Sequence, residues 1–109
     1  MNREIVISEI HFDDSGLVPA IVQDSASGEV LMMAWMNQET LGETLKTSSL
    51  VFFSRSRQQR WKKGETSGNS MQLEAASMDC DSDTLLFKVL AAGPACHNGT
   101  TSCFEVGNA

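Results

Sequence analysis

A run of alternating aspartates with a cysteine inside it lies at Asp79, Cys80, Asp81, Ser82 and Asp83. Carboxylate oxygens are ligands for hard cations such as Mg²⁺, Mn²⁺ or Ca²⁺, whereas a thiolate is a ligand for zinc. If the segment is an extended strand, alternate side chains point to opposite faces, so the carboxylates share one side and the thiol lies on the other. The pattern therefore predicts a magnesium site on Asp79, Asp81 and Asp83, and a zinc site that includes Cys80.

The two remaining cysteines, Cys96 and Cys103, lie together in the segment from Gly93 to Phe104. With Cys80 they make a set of three thiolates. Three protein ligands leave one position of a tetrahedral zinc ion open, which is the arrangement of catalytic rather than structural sites. We therefore predict a zinc tripod of these three cysteines with room for a water or a substrate.

Other interpretations of these residues stay open at this point. An aspartate run is also typical of a solvated turn, and a single cysteine is often a small buried hydrophobic residue. An EF-hand loop would need Gly and Glu at its sixth and twelfth positions, where this chain has Thr84 and Leu90. A structural zinc module that staples a dimer for partner binding would need a fourth protein ligand. A zinc nucleobase deaminase would need His-x-Glu and Pro-Cys-x-x-Cys, and neither occurs.

Basic residues are concentrated in one segment of a chain whose formal net charge is −6. Five of the eight Lys and Arg residues fall within nine positions, namely Arg55, Arg57, Arg60, Lys62 and Lys63. Such an acidic chain is unsuited to nucleic acid, so a small anionic ligand is the better partner for this patch. The next loop carries Thr66 and Ser67 between two glycines and could hold a phosphate through hydroxyl and backbone N–H groups. A solvated hairpin with a plain turn is the alternative.

Short strands dominate the segments that must position these residues. Runs of apolar and β-branched residues predict strands at Val18–Gln23, Glu29–Trp35, Leu50–Ser54, Gln58–Lys62, Met71–Ser77, Leu85–Leu90 and Ser102–Val106. Asn37 is a helix cap followed by Leu41 and Leu45 at i and i+4, which predicts one helix ending near Thr47. The expected fold is α+β, around a mainly antiparallel, curved or barrel-like sheet. The expected core includes Met32, Met33, Trp35, Phe52, Phe53, Leu86 and Val89.

Length and composition fit a single domain over residues 1–109, with a core small enough that dimerisation would help it. An odd count of three cysteines argues against a disulfide framework and predicts a reducing, cytoplasmic location. The longest apolar run, Val30 to Met36, has seven residues, far short of the roughly 20 that cross a bilayer. The first residues lack the layout of a signal peptide, so no contact with a membrane is expected.

Taken together, the motifs resemble those of phosphoribosyl-AMP cyclohydrolase, a family of histidine-biosynthesis enzymes. The resemblance runs from about Val18 to Phe104. It rests on five segments: Leu31 to Asn37, Phe53 to Arg57, Trp61 to Gly68, Asp79 to Asp83, and Ala95 to Phe104.

The resemblance implies hydrolytic opening of the adenine ring at the N1–C6 bond of 1-(5-phosphoribosyl)-AMP by a homodimer that binds Zn²⁺ and Mg²⁺. It implies zinc on the three cysteines and magnesium on the three aspartates named above. That substrate carries two phosphates, which agrees with a basic cluster on an acidic protein. We predict phosphate contacts from Arg55, Arg57 and Lys63, assisted by Thr66 and Ser67.

The resemblance also bears on the general base and on the assembly. Three thiolates give zinc a net charge of about −1 and weaken its effect on water, so a base should help, and His97 beside Cys96 is the best candidate. Fifteen residues, including a predicted strand, separate Cys80 from Cys96. We therefore predict a shared zinc site, with Cys80 from one subunit and Cys96 and Cys103 from the other. The sequence ends five residues after Phe104, so no pyrophosphohydrolase domain is expected.

Overall fold

Six strands and one helix make up the computed structural model, which describes residues 5–64, 71–91 and 102–104. The strands are β1 (Val18–Asp24), β2 (Val30–Met36), β3 (Val51–Ser54), β4 (Gln59–Lys62), β5 (Met71–Met78) and β6 (Leu85–Ala91). The helix, α1, spans Gln38–Thr47, and a short 3-10 turn covers Ile7–Glu9. These elements lie close to the predicted ones, apart from the last predicted strand.

The strands form one mixed sheet and one small hairpin. The four-stranded sheet has the order β2-β1-β6-β5, and β3 and β4 pair separately. Neighbours are antiparallel except for the central pair, in which β1 runs parallel to β6. The α+β class is thus confirmed, whereas the described strands form no closed barrel. Hairpin signals in a sequence predict which strands pair through a turn, but not how two hairpins meet side by side.

Alternating side chains of the central strands build the core. Val18, Ala20 and Val22 of β1 are fully buried, as are Leu85 and the residues at i+2 and i+4 from it on β6. Each of these side chains other than that of Ala20 contributes roughly 1.5–3 kcal/mol through its burial. The expected core is correct for Met32, Phe52 and Val89. It is wrong for Met33, which is 44% exposed because it lies on the open face of the edge strand β2.

Helix α1 begins at a reciprocal cap. The Oδ1 atom of Asn37 accepts the Thr40 N–H at 2.8 Å, and the Thr40 hydroxyl oxygen accepts the Asn37 N–H at 2.9 Å. The two bonds satisfy donors that the first helical turn leaves without partners. The helix ends at Ser48, whose φ of 61° stops it in the left-handed region. The prediction of a helix capped by Asn37 is confirmed.

One buried hydroxyl ties this helix to the β3–β4 hairpin. Thr44 is fully buried, and its Oγ1 donates to the Thr40 carbonyl at 2.8 Å while accepting the Val51 N–H at 3.0 Å. A buried N–H left without a partner would cost about 1–3 kcal/mol, so this contact fixes the start of β3. The hairpin is thereby held beside β2, where the two elements make contact.

Residues Ser102–Phe104 bend instead of forming the predicted strand. The Ser102 hydroxyl donates to the Val30 carbonyl at 2.7 Å, and the Cys103 N–H donates to the Leu31 carbonyl at 2.6 Å. Tertiary contacts with β2 thus override the local preference for a strand. In the part of the chain that is described, no helix has the length and apolar character needed to cross a membrane.

Candidate active site

The connection between β5 and β6, residues 79–84, is a tight turn that we call the acidic turn. Asp79 organises it, because its Oδ1 accepts the backbone N–H groups of Asp83 at 3.0 Å and Thr84 at 3.2 Å. Ser82 takes a left-handed conformation with φ of 61°. The expectation of an extended strand with carboxylates and thiol on opposite faces is therefore wrong, because the chain must reverse direction here.

The turn nevertheless brings the three carboxylates together. One oxygen from each of Asp79, Asp81 and Asp83 lies within 4.8 Å of the others, and all three residues are exposed. Ligands on opposite sides of a magnesium ion are about 4.2 Å apart, so these oxygens need only a small adjustment to share one cation. The donor set, three hard oxygens on an exposed turn, is of the chemical type that Mg²⁺ prefers.

The carboxylates also perturb one another. Desolvation alone would raise the pKa of Asp79. Hydrogen bonds from the backbone N–H groups of Asp83 and Thr84 and from the side chain of Asp81 together lower the pKa by more, so it lies below its ordinary value. At Asp83, desolvation and then the adjacent carboxylates raise the pKa above its ordinary value. A proton or a bound cation would relieve this repulsion between like charges.

Cys80 lies on the same turn and is exposed. It lines an open cavity of about 340 Å³ together with Glu9, His11, Asp81 and Ser82. The His11 N–H donates to the Ser82 carbonyl at 2.8 Å, which fixes the N-terminal segment against the turn. The sequence analysis did not place His11 here, since nothing local relates a residue near the N-terminus to a turn late in the chain.

Strand register separates the two cysteines that the structure describes. Cys103 is bonded to Leu31 on β2, at the level of the Val22–Gln23 bulge on β1. Cys80 precedes Leu85, the first residue of β6. Leu31 and Leu85, the strand residues beside the two cysteines, lie on β2 and β6, which are about 10 Å apart because β1 lies between them.

The offset along the strands adds to this separation. Leu85 pairs with Ala20 of β1, whereas Leu31 lies level with Val22–Gln23 of the same strand. The two levels are two to three residues apart along β1, which corresponds to about 8 Å. Cys80 lies still further in that direction, because the acidic turn comes before Leu85. Two thiolates on one tetrahedral zinc are only about 3.8 Å apart. Cys80 and Cys103 of a single chain therefore do not fit one zinc ion, while Cys96 and His97 lie outside the described residues.

The connection between β3 and β4, residues 55–58, is a second charged turn that we call the basic turn. The Ser54 hydroxyl accepts the Arg57 backbone N–H at 3.3 Å, and the Gln58 side chain donates to the Arg55 carbonyl at 2.7 Å. Gln58 itself is left-handed, with φ of 51°. Both arginines therefore project from a turn whose backbone is fixed by neighbouring side chains.

An open cleft of about 510 Å³ lies between β2 and this hairpin. Its lining comprises Met33, Ala34, Trp35, Phe53, Ser54, Arg55, Ser56 and Trp61. The guanidinium carbon of Arg55 lies over the Trp35 ring, 4.4 Å from its centroid. Trp61 packs against Phe52 with ring centroids 4.9 Å apart, so one tryptophan is anchored in the core at the cleft wall. Trp35 and Phe53, expected in the core, thus line the cleft.

The basic residues differ in whether they form an ion pair with another described residue. Arg60 pairs with Glu43 of α1 through two of its guanidinium nitrogens, Nε at 2.8 Å and Nη2, and this hydrogen bonding lowers the pKa of Glu43. Arg55 and Arg57 form no ion pair with any residue in the described ranges. Lys63 follows β4, with its backbone N–H bonded to the Leu50 carbonyl at 3.0 Å. The predicted contacts Thr66 and Ser67 lie outside the described residues.

Comparison with known proteins gives a consistent result. A sequence model of the family described as Phosphoribosyl-AMP cyclohydrolase matches residues 32–105. A Phosphoribosyl-AMP cyclohydrolase of Salinibacter ruber is 59% identical over 94 residues, covering 86% of this chain and 74% of that protein. One from Micrococcus luteus is 54% identical over 99 residues, covering 91% and 79%. The Histidine biosynthesis bifunctional protein HisIE of Thermus thermophilus is 51% identical over 99 residues, and the match covers 46% of it.

Proposed function

Because the chain belongs to the phosphoribosyl-AMP cyclohydrolase family, we propose that it opens the adenine ring of 1-(5-phosphoribosyl)-AMP by hydrolysis of the N1–C6 bond, in histidine biosynthesis. The observation that carries this proposal is the acidic turn, in which three carboxylates converge and which also carries an exposed cysteine. Hard and soft ligands in one short turn are the feature that a reaction dependent on both Mg²⁺ and Zn²⁺ would need.

We propose that Asp79, Asp81 and Asp83 hold magnesium, and that three thiolates hold zinc, namely Cys80, Cys96 and Cys103. When bound, zinc would supply Lewis-acid chemistry at the ring carbon, and magnesium would neutralise developing negative charge. The chain's own task is then to bind and orient the substrate and to move a proton. His97 is the proposed proton acceptor for the attacking water.

Substrate phosphates are assigned to the basic turn. Arg55 and Arg57 have no ion pair within the described residues, so their charge is available to an anion, in contrast with that of Arg60. Guanidinium groups bind phosphate through two parallel N–H bonds, which gives both affinity and orientation. Lys63, Thr66 and Ser67 complete the proposed phosphate contacts.

We further propose that the enzyme is a homodimer with zinc shared between subunits, in the cytoplasm. The separation of Cys80 from Cys103 by strand register supports the sharing, because it exceeds the distance between two thiolates on one zinc ion. In this arrangement each active site combines the acidic turn of one subunit with Cys96 and Cys103 of the other. The two sites would be related by a two-fold axis.

The test is ring opening of phosphoribosyl-AMP, followed by the change in absorbance of the purine ring. Activity should disappear after chelation and return only when both Zn²⁺ and Mg²⁺ are restored. Asp14→Asn is a control that removes one negative charge from an exposed residue outside the acidic turn, and it should leave the activity and its dependence on both metals unchanged. Activity that survives complete metal removal, or no ring opening with both metals present, would reject the proposal.

A further inference from the structure

The Arg55 guanidinium is held in place by a contact with Trp35 on β2. Its backbone is held by Gln58 within the basic turn, at 2.7 Å, while its side chain crosses to β2 and lies over the Trp35 ring at 4.4 Å. β2 belongs to the large sheet and the basic turn to the separate hairpin. The stacked pair therefore spans the cleft between the two sheets.

Stacking leaves the binding edge of an arginine free. The face of a guanidinium packs on an aromatic ring, whereas its N–H groups all point outward in its own plane. An arginine held in this way can still offer two parallel N–H groups to a phosphate. A long flexible side chain is thereby ordered before the ligand arrives, so less conformational entropy is lost on binding.

We infer that Trp35 is a positioning residue for substrate binding, which holds the Arg55 guanidinium at the mouth of the cleft in the orientation that receives a substrate phosphate. This inference rests on the proposed function, since it requires Arg55 to contact phosphate. Trp35 itself need not touch the substrate. We therefore expect Trp35 to affect KM only when Arg55 is present.

A double-mutant cycle tests this dependence through KM. Trp35→Leu should raise KM about two- to fivefold, the range expected for an exposed cation–π contact, with kcat within about twofold of wild type. Trp35→Phe keeps a ring face and should recover most of the loss. In an Arg55→Ala background, Trp35→Leu should have no further effect on KM. Arg60→Ala, which removes a charge already paired with Glu43, is the control and should leave KM unchanged.

The outcomes separate this inference from the proposed function. If Arg55→Ala leaves KM unchanged, the assignment of phosphate to Arg55 is wrong. If Arg55→Ala raises KM but Trp35→Leu acts equally in both backgrounds, the phosphate assignment stands and the positioning role is rejected.

Fluorescence gives a second measurement that does not depend on the folding of Trp35→Leu. The chain has two tryptophans, so in a Trp61→Phe background all indole emission comes from Trp35. Inorganic phosphate should perturb this emission when Arg55 is present and should not do so in Arg55→Ala. Equal perturbation with and without Arg55 would overturn the inference.

Discussion

The acidic turn and the basic turn both present charged side chains, but these side chains are held in place in different ways. Each closes an antiparallel hairpin, and each contains a left-handed residue other than glycine, Ser82 in one and Gln58 in the other. In the acidic turn a carboxylate that is proposed to bind magnesium, that of Asp79, itself accepts the backbone N–H groups that shape the turn. In the basic turn the backbone is held by other side chains, and the guanidinium of Arg55 is held by Trp35 on another strand.

The difference follows from what each turn is proposed to bind. A small divalent cation needs several oxygens within a few ångströms of one point, which six consecutive residues can supply. A substrate with two phosphates needs cations at separate points and a surface between them. Such a surface is assembled from strands far apart in the sequence, as in the cleft between β2 and the β3–β4 hairpin.

The largest expected effect tests whether the acidic turn binds zinc with cysteines of its own subunit or with those of the other subunit. Cys80→Ser and Cys103→Ser should each abolish turnover and lower bound zinc, because a hydroxyl is a poor substitute for a thiolate. In a heterodimer of the two variants, one site keeps an intact set of ligands. Activity per heterodimer should therefore return towards half that of the wild-type dimer.

The control for this experiment mixes Cys96→Ser with Cys103→Ser. Both lesions lie on the same side of the proposed shared site, so each site of that heterodimer lacks one thiolate and no activity should return. Recovery in this control would show that the returning activity does not come from a restored set of ligands. Subunit exchange without recovery in the first mixture would place the zinc ligands within one chain.

The second expected effect concerns magnesium. Asp81→Asn and Asp83→Asn should raise the Mg²⁺ concentration for half-maximal activity by at least about tenfold, which corresponds to about 1.4 kcal/mol, while zinc content is retained. Asp79→Ala should in addition lower Tm in the absence of metal, because the backbone N–H groups of Asp83 and Thr84 lose their shared acceptor, Oδ1 of Asp79. Asp81→Ala should not. Parallel loss of both metals in the asparagine variants would show that the two sites are not separable.

The third effect compares arginines within the basic cluster. Arg57→Ala should raise KM about tenfold with little change in kcat, if its contact holds phosphate equally in the ground and transition states. Arg60→Ala removes an equal charge three residues away, but that charge is already bonded to Glu43. Equal KM changes in the two variants would mean that only the summed charge matters.

The smallest effect concerns the Glu43–Arg60 pair itself. Arg60 lowers the pKa of Glu43, so the folded state binds this proton less readily than the unfolded state. The stabilisation is therefore present above the unfolded pKa of about 4.3 and is lost as pH falls through the lower folded pKa. The Tm difference between wild type and Arg60→Gln should shrink as pH falls from neutral to acidic values. A difference that is independent of pH would contradict the pairing.

Local features of this fold could be predicted from sequence, and long-range ones could not. The helix cap at Asn37 and the meeting of the three aspartates both depend on residues a few positions apart. The three aspartates do lie together, as predicted, but the reason given for it was wrong, because the segment forms a turn and not an extended strand. The strand predicted to begin at Ser102 was wrong because the Ser102 hydroxyl finds its partner at Val30.

The cleft was beyond sequence reasoning for a related reason. Trp35 is on the four-stranded sheet and Arg55 is in the turn of the separate hairpin, and nothing in the sequence around either indicates the other. The same applies to His11 beside the acidic turn. Apolar side chains such as Met33 and Trp35 were assigned to the core because period-2 patterns give two faces without saying which face is covered.

The parallel pairing of β1 with β6 has a consequence for how the chain reaches this fold. Ala20 and Leu85 come from opposite halves of the sequence, so the centre of the sheet closes only after most of the chain has left the ribosome. Closing so long a loop is slow compared with forming a hairpin. Until then the edge of β1 that pairs with β6, from Ala20 to Asp24, stays open to other chains. The acidic turn is synthesised immediately before β6, so its final position is set in the same late step that removes this edge.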